Sequence, residues 1–157
     1  MMNLRKLSVI LSVFLSAMLL PSCGTTSVSY LYYWGNDVNS EANATAYEVF
    51  TYDVLENRTP ESICNLIALY EDIVTNAGKN GKDVPPGILA EYGYVLLQSD
   101  TPAIFEEHAT KLQKKMFNTA DYSSLFRQKG ESMLKKEMEL YPESAKFIAP
   151  LIDKLVK

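Results

Sequence analysis

The chain has 157 residues, with 15 Lys+Arg against 19 Asp+Glu, a formal charge of −4 and a single histidine. Apolar residues make up 47 % and charged residues 22 %, the balance of an ordinary globular domain, and this length supports one core rather than two. An acidic surface opposes phosphate binding, which sets nucleic acid aside as a partner. One histidine and two cysteines leave few ways to build a metal or nucleophile site.

Residues 1–22 have the parts of an export signal. Arg5 and Lys6 give a positive start, and Leu7 to Leu20 is an uncharged apolar run, shorter than the ~20 residues a spanning helix needs. Leu20-Pro21-Ser22-Cys23-Gly24 then resembles a bacterial lipobox, although Pro21 departs from the commonest small residue at its site. That resemblance implies acylation of Cys23 and cleavage before it. The alternative is a plain secretory signal cleaved near Ser22. Charge, core length and cysteine position together favour the lipoprotein. Two of the fifteen basic residues would leave with residues 1–22, so the mature chain would stand at −6. Residues 23–29 then form the anchor and a small, polar tether. The tether carries neither Asp nor Glu, so no surface-export run or inner-membrane retention signal stands there. The expected location is the periplasmic face of the outer membrane, with residues 30–157 as a single helical domain.

Helices are expected throughout. A first is read from about Ser40 to Glu56, with Tyr47, Phe50, Val54 and Leu55 inward. Thr59 and Pro60 start the second as N-cap and first helical residue, and Glu61 complements the helix dipole. Ile63, Leu66, Ile67, Tyr70, Ile73, Val74 and Ala77 repeat at helical spacing, and Gly78 and Gly81 close the element. Val84-Pro85-Pro86-Gly87 forms a rigid turn before a third helix reaching about Ser99. Thr101-Pro102 repeats the cap-plus-proline start, with Phe105, Ala109, Leu112 and Met116 on one face of a fourth helix. A fifth is expected from about Ser124 to Leu140. Pro142-Glu143-Ser144 opens the last, which carries Phe147, Ile148, Leu151, Ile152 and Leu155, and Pro150 should kink or divide it. No alternating pattern of useful length occurs. The class is all-α.

Tyr92-Gly93-Tyr94-Val95-Leu96 resembles the first half of a tetratricopeptide repeat, where glycine permits close helix–helix approach. Gly130, Leu134 and Pro142 have the spacing of the second half. Gly93 and Pro142 lie 49 positions apart, against roughly 24 in a 34-residue repeat. The surplus coincides with the helix that begins at Thr101. The expected fold is tetratricopeptide-like hairpins with one inserted helix, packed loosely and available to a partner.

Four motifs in order resemble an uncharacterised family of bacterial lipoproteins built on a domain of unknown function. They stand here as Tyr33-Trp34-Gly35, Val84-Pro85-Pro86-Gly87, Tyr92-Gly93-Tyr94, and Glu137 with Tyr141-Pro142-Glu143-Ser144. The resemblance covers most of the mature chain and departs from the family in the insertion between Gly93 and Glu137. It implies association with curli-type secretion-pore lipoproteins, and hence a role in envelope assembly.

Few residues offer chemistry. Cys64 has no second thiol once Cys23 is acylated, and it reads as a small buried hydrophobe. A Cys64–His108 dyad is the one nucleophile–base pair available, with no orienting group or oxyanion donor in view. His108 reads as a boundary residue, since one imidazole without a second ligand makes a poor metal site. Glu106 and Glu107 are adjacent on a helix and point apart. Lys111, Lys114 and Lys115 read as a solvated face. Glu137 falls on the Phe126/Met133/Leu140 stripe, where a structural carboxylate would be held by a lysine or a helix N-terminus; the functional alternative is an anchor for a partner peptide. Tyr30 to Trp34 suits either a contact surface or a cover over the first two helices. No catalytic, metal or cofactor residue is assigned.

Three functions compete on these residues. The leading one is a non-enzymatic, outer-membrane-anchored adaptor or scaffold, held by its lipid, with a protein partner in the envelope such as a curli-type pore lipoprotein. The second is a stand-alone peptide- or glycan-binding lipoprotein. A small hydrolase is the third.

Overall fold

The computed structural model describes residues 38–39 and 44–156, with side chains from Thr45 onward. The fold is all-α, preceded by a minimal antiparallel ladder in which β1 (Val38–Asn39) pairs with β2 (Ala44–Thr45), Val38 opposite Thr45. Helix α1 (Ala46–Glu56) starts at a capping box. The Thr45 hydroxyl accepts the Glu48 N–H at 3.2 Å, and the Glu48 carboxylate accepts the Thr45 N–H at 2.7 Å. This reciprocal cap, rather than Ser40, sets the helix start. Tyr47, Phe50 and Val54 pack against the core as expected. Leu55 does not: it is 81 % exposed, because it lies about 100° around the helix from Val54.

Helix α2 (Pro60–Lys79) follows its sequence closely. The Thr59 hydroxyl accepts the Ser62 N–H at 3.1 Å, and Ile63, Leu66, Ile67, Tyr70, Ile73 and Ala77 are buried. Its cap residue is Asn80, with Gly78 still helical and Gly81 turning the chain at φ +61°. Helix α3 (Ile88–Leu96) ends earlier than Ser99.

The insertion is two helices, not one. Helix α4 (Thr101–His108) ends where Ala109 turns extended, and α5 (Lys111–Phe117) begins at a second capping box between Thr110 and Gln113. Thr101 is not a cap. Its buried hydroxyl donates to the Val95 carbonyl at 2.8 Å, closing the turn between α3 and α4. Nor is α4 loosely packed. Phe105 is fully buried, its ring centroid 5.2 Å from those of Phe117, Tyr122 and Phe126. Burying such a ring contributes roughly 1.5–3 kcal/mol, so the inserted segment is part of the core. Ala109 joins it there, whereas Leu112 and Met116, beyond the break, leave the expected stripe and face outward.

Helix α6 (Tyr122–Leu140) is capped by Asp121, whose carboxylate accepts the Ser124 N–H at 3.0 Å. A 3-10 turn (Pro142–Ser144) leads into α7 (Ala145–Leu155). Pro150 lies inside α7 without dividing it. Ile148 is the residue α7 buries; Phe147, expected inward, is 71 % exposed. No described helix is long and apolar enough to cross a membrane.

Candidate functional site

Helix α3 is the centre of the molecule, and its neighbours divide into a closed side and an open one. On the closed side it packs on α6 through glycine. A Cβ on Gly93 would come within 2.8 Å of the Gly130 carbonyl oxygen and of Leu134 Cγ. A Cβ on Gly130 would come within 3.0 Å of the Gly93 carbonyl. The two glycines let the helix backbones approach to a distance any side chain would block.

The start of α3 is clipped to the end of α6. Gly87, at φ +92°, precedes the helix and aims its N–H at Glu137 Oε1, 2.6 Å away. Glu137 is 2 % exposed. Burial pushes its carboxyl upward, while the backbone N–H groups of Gly87, Ala90 and Leu89 pull it down; the Glu91 charge adds to the rise, and the net shift is upward. Oε2 is buried without a hydrogen bond of normal geometry, as is Ser144 Oγ. One turn later the Tyr141 hydroxyl donates to the Val84 carbonyl at 2.5 Å. The Val-Pro-Pro-Gly turn and the Glu137/Tyr141 segment, some fifty residues apart in sequence, therefore form one structural unit. The reading of Glu137 as a carboxylate held by a helix N-terminus is the one the geometry supports.

The open side is a groove of about 600 Å³ between α1, α2 and α3, lined by Tyr47, Val54 and Leu55, by Tyr70, and by Glu91 and Tyr94. Its polar centre is Glu91. The hydroxyls of Tyr47 and Tyr70 both donate to Glu91 Oε2 at 2.8 Å. Burial first, and the neighbouring carboxylate second, raise both phenols and keep them protonated. Glu91 makes no ion pair among the described residues. Arg58 also lines the groove; it holds a left-handed backbone (φ +41°) and pairs with Asp100 at 3.3 Å. Behind the groove, Tyr70 and Tyr92 lie with ring centroids 5.5 Å apart. Tyr92 donates to Glu71 Oε2 at 2.7 Å, and Lys129 of α6 closes that half-buried network at 2.6 Å from Glu71.

No protein-family model, curated protein or solved structure matches the chain.

Among the residues singled out in the sequence, Gly87, which ends the Pro85-Pro86 turn, meets Glu137, and Gly93 meets Gly130. Pro142, Glu143 and Ser144 form the 3-10 turn that follows Tyr141. Cys23, Trp34, Gly35 and the stretch Tyr30 to Trp34 lie outside the described residues. Cys64 is buried, its thiol facing the Ile104 carbonyl at 3.9 Å, and burial pushes it up to about 11, with Glu61 adding and Lys114 opposing. A raised thiol is the reverse of an activated nucleophile. His108 instead faces Glu107, 3.7 Å away. Glu91 was not anticipated. The signal lay in Tyr47 and Tyr70, two inward tyrosines whose hydroxyls each need a partner.

Proposed function

We propose that this chain is a lipid-anchored adaptor of the bacterial envelope, facing the periplasm from the outer membrane, that holds a segment of a partner protein in the groove between α1, α2 and α3. The observation that carries the reading is Glu91, an exposed carboxylate at the rim of an apolar and aromatic groove, which accepts two tyrosine hydroxyls and makes no ion pair among the described residues. Such a site suits an apolar segment that carries one Lys or Arg. The aromatic rims supply contact area at low entropic cost, and the carboxylate supplies selection by charge. The motif resemblance favours a curli-type pore lipoprotein as the partner, and Cys23 is the anchor this reading requires.

The test is site-specific photocrosslinking in intact envelopes containing such a pore lipoprotein. A benzophenone side chain at position 94 or 55 should give an adduct that mass spectrometry identifies as the pore lipoprotein. Glu91→Lys should abolish it, while a probe at Phe147 should give none. Absence of the adduct at both groove positions, or its persistence in Glu91→Lys, overturns the proposal.

A further inference from the structure

Helix α5 has an inner and an outer side of different chemistry. Phe117 turns inward, its ring 5.2 Å from Phe105 and 5.3 Å from Phe126. Gln113 donates to Asn65 of α2 at 2.9 Å, and Lys114 Nζ reaches back to the Glu106 carbonyl at 2.5 Å. These three residues fix the helix to the body. Lys111, Leu112, Lys115 and Met116 fall on the opposite side, within an arc of about 140°. Leu112 is 75 % exposed and Met116 38 %. Neither Lys111 nor Lys115 has an ion pair among the described residues, and Glu107 of the preceding helix lies beside His108 instead. Beside them opens a cavity of about 560 Å³, lined by the three lysines with Asn118, Thr119 and Tyr122.

We infer that this outer side of α5 is a docking surface for an anionic phospholipid bilayer, with Lys111 and Lys115 taking headgroup phosphates and Leu112 and Met116 entering the acyl boundary. Unpaired ammoniums flanking exposed apolar side chains on one helix face are the arrangement that binds at a charged membrane interface. The positive charge of this face runs against the net charge of −4. Bound there, the protein would rest on the membrane through α5 while α1 to α3 keep their groove. The inference is independent of what the groove holds.

The experiment uses the full chain with Cys23→Ser, so that no acyl chain contributes. It is compared with the same chain carrying Lys111→Glu and Lys115→Glu. Both share residues 1–37, and any membrane affinity of that segment cancels. Sedimentation is measured with vesicles of phosphatidylcholine alone and with an equal share of phosphatidylglycerol. The parent should bind the mixed vesicles about tenfold or more tightly than the double variant, at unchanged circular dichroism. A polarity-sensitive dye on Leu112→Cys, selective because Cys64 is buried, should shift to the blue on mixed vesicles. Equal binding by the two proteins overturns the inference, as does a dye that stays in water. Displacement by soluble glycerol phosphate would show a site for free phosphate esters and equally overturn it.

Discussion

The two sides of α3 solve the same packing problem in opposite ways. Toward α6 the helix presents Gly93, brings backbone against backbone and leaves no space. Toward α1 and α2 it presents Glu91 and Tyr94, and the gap that remains is bridged by tyrosine hydroxyls. Glycine buys contact, and large amphipathic side chains keep a surface open without leaving it ragged. The closed side should therefore dominate stability, and the open side should tolerate change.

The sharpest way to break this contrast is at Gly93. A β-carbon there meets the Gly130 carbonyl at 2.8 Å, and a carbonyl inside a helix cannot move aside as a side chain can. Gly93→Val should destabilise by about 3 kcal/mol or more, the upper range for overpacking. Gly130→Ala should cost less. Its first obstruction, at 2.7 Å, is the Leu97 side chain, and alanine recovers about 1 kcal/mol of helix propensity. Urea unfolding of the two variants measures the difference. Equal costs would mean that the seam relaxes as a whole and that glycine is not what closes it.

Next in size is Glu137. Alanine there leaves the Gly87 N–H buried without an acceptor and opens a void, an expected loss of about 2–3 kcal/mol by the same measurement. Glu137→Gln keeps an oxygen for Gly87 and removes the charge. Because the folded carboxyl lies above its unfolded value, its stabilising contribution is full below the unfolded pKa and is lost as pH rises through the folded one. Wild type should thus lose stability relative to the Gln variant between acid and neutral pH. A constant difference across that range would show that the carboxyl is not strained in the fold.

Much of the closed side was legible in the sequence. Gly93, Gly130 and Leu134 carry their contact in their spacing, and Glu137 stood on an apolar stripe where a carboxylate needs a reason. The clip between Gly87 and Glu137 was half legible: a helix N-terminus was an expected holder, but periodicity does not say which helix. The break at Ala109 was hidden, because Phe105, Ala109, Leu112 and Met116 keep helical spacing straight across it. What gave it away physically was Thr110-x-x-Gln113, a local cap that outcompetes continuation of the helix. Glu91 was illegible for a different reason. A lone exposed acid on a helix carries no sign in its own spacing that tyrosines of two other helices converge on it.

Smaller effects compare tyrosines on the two sides. Tyr92→Phe strips a donor from Glu71, which is half-buried beside Lys129 and less open to water than Glu91. It should cost about 1–2 kcal/mol. Tyr70→Phe strips a donor from Glu91, where Tyr47 and solvent remain, and should cost less than about 1 kcal/mol. Thermal unfolding of both variants in one buffer decides the order. A reversal would place the structurally important carboxylate in the groove rather than behind it.

The smallest expected effect is at Arg58, and there two terms of similar size oppose each other. Its left-handed backbone, φ +41°, disfavours a residue with a β-carbon, so Arg58→Gly should relieve up to about 1 kcal/mol of strain. The same change removes the ion pair with Asp100, whose two side chains are each about half exposed, and such pairs contribute roughly 0–1 kcal/mol. It also loosens the unfolded chain, since glycine has more conformations to lose on folding. The net change should lie within about 0.5 kcal/mol of zero. Arg58→Ala keeps the strain and loses the pair, so it should be the less stable of the two. If both variants fall clearly below wild type, the guanidinium is bracing the α1–α2 turn through Asp100, and the open side is held more tightly than its exposure implies.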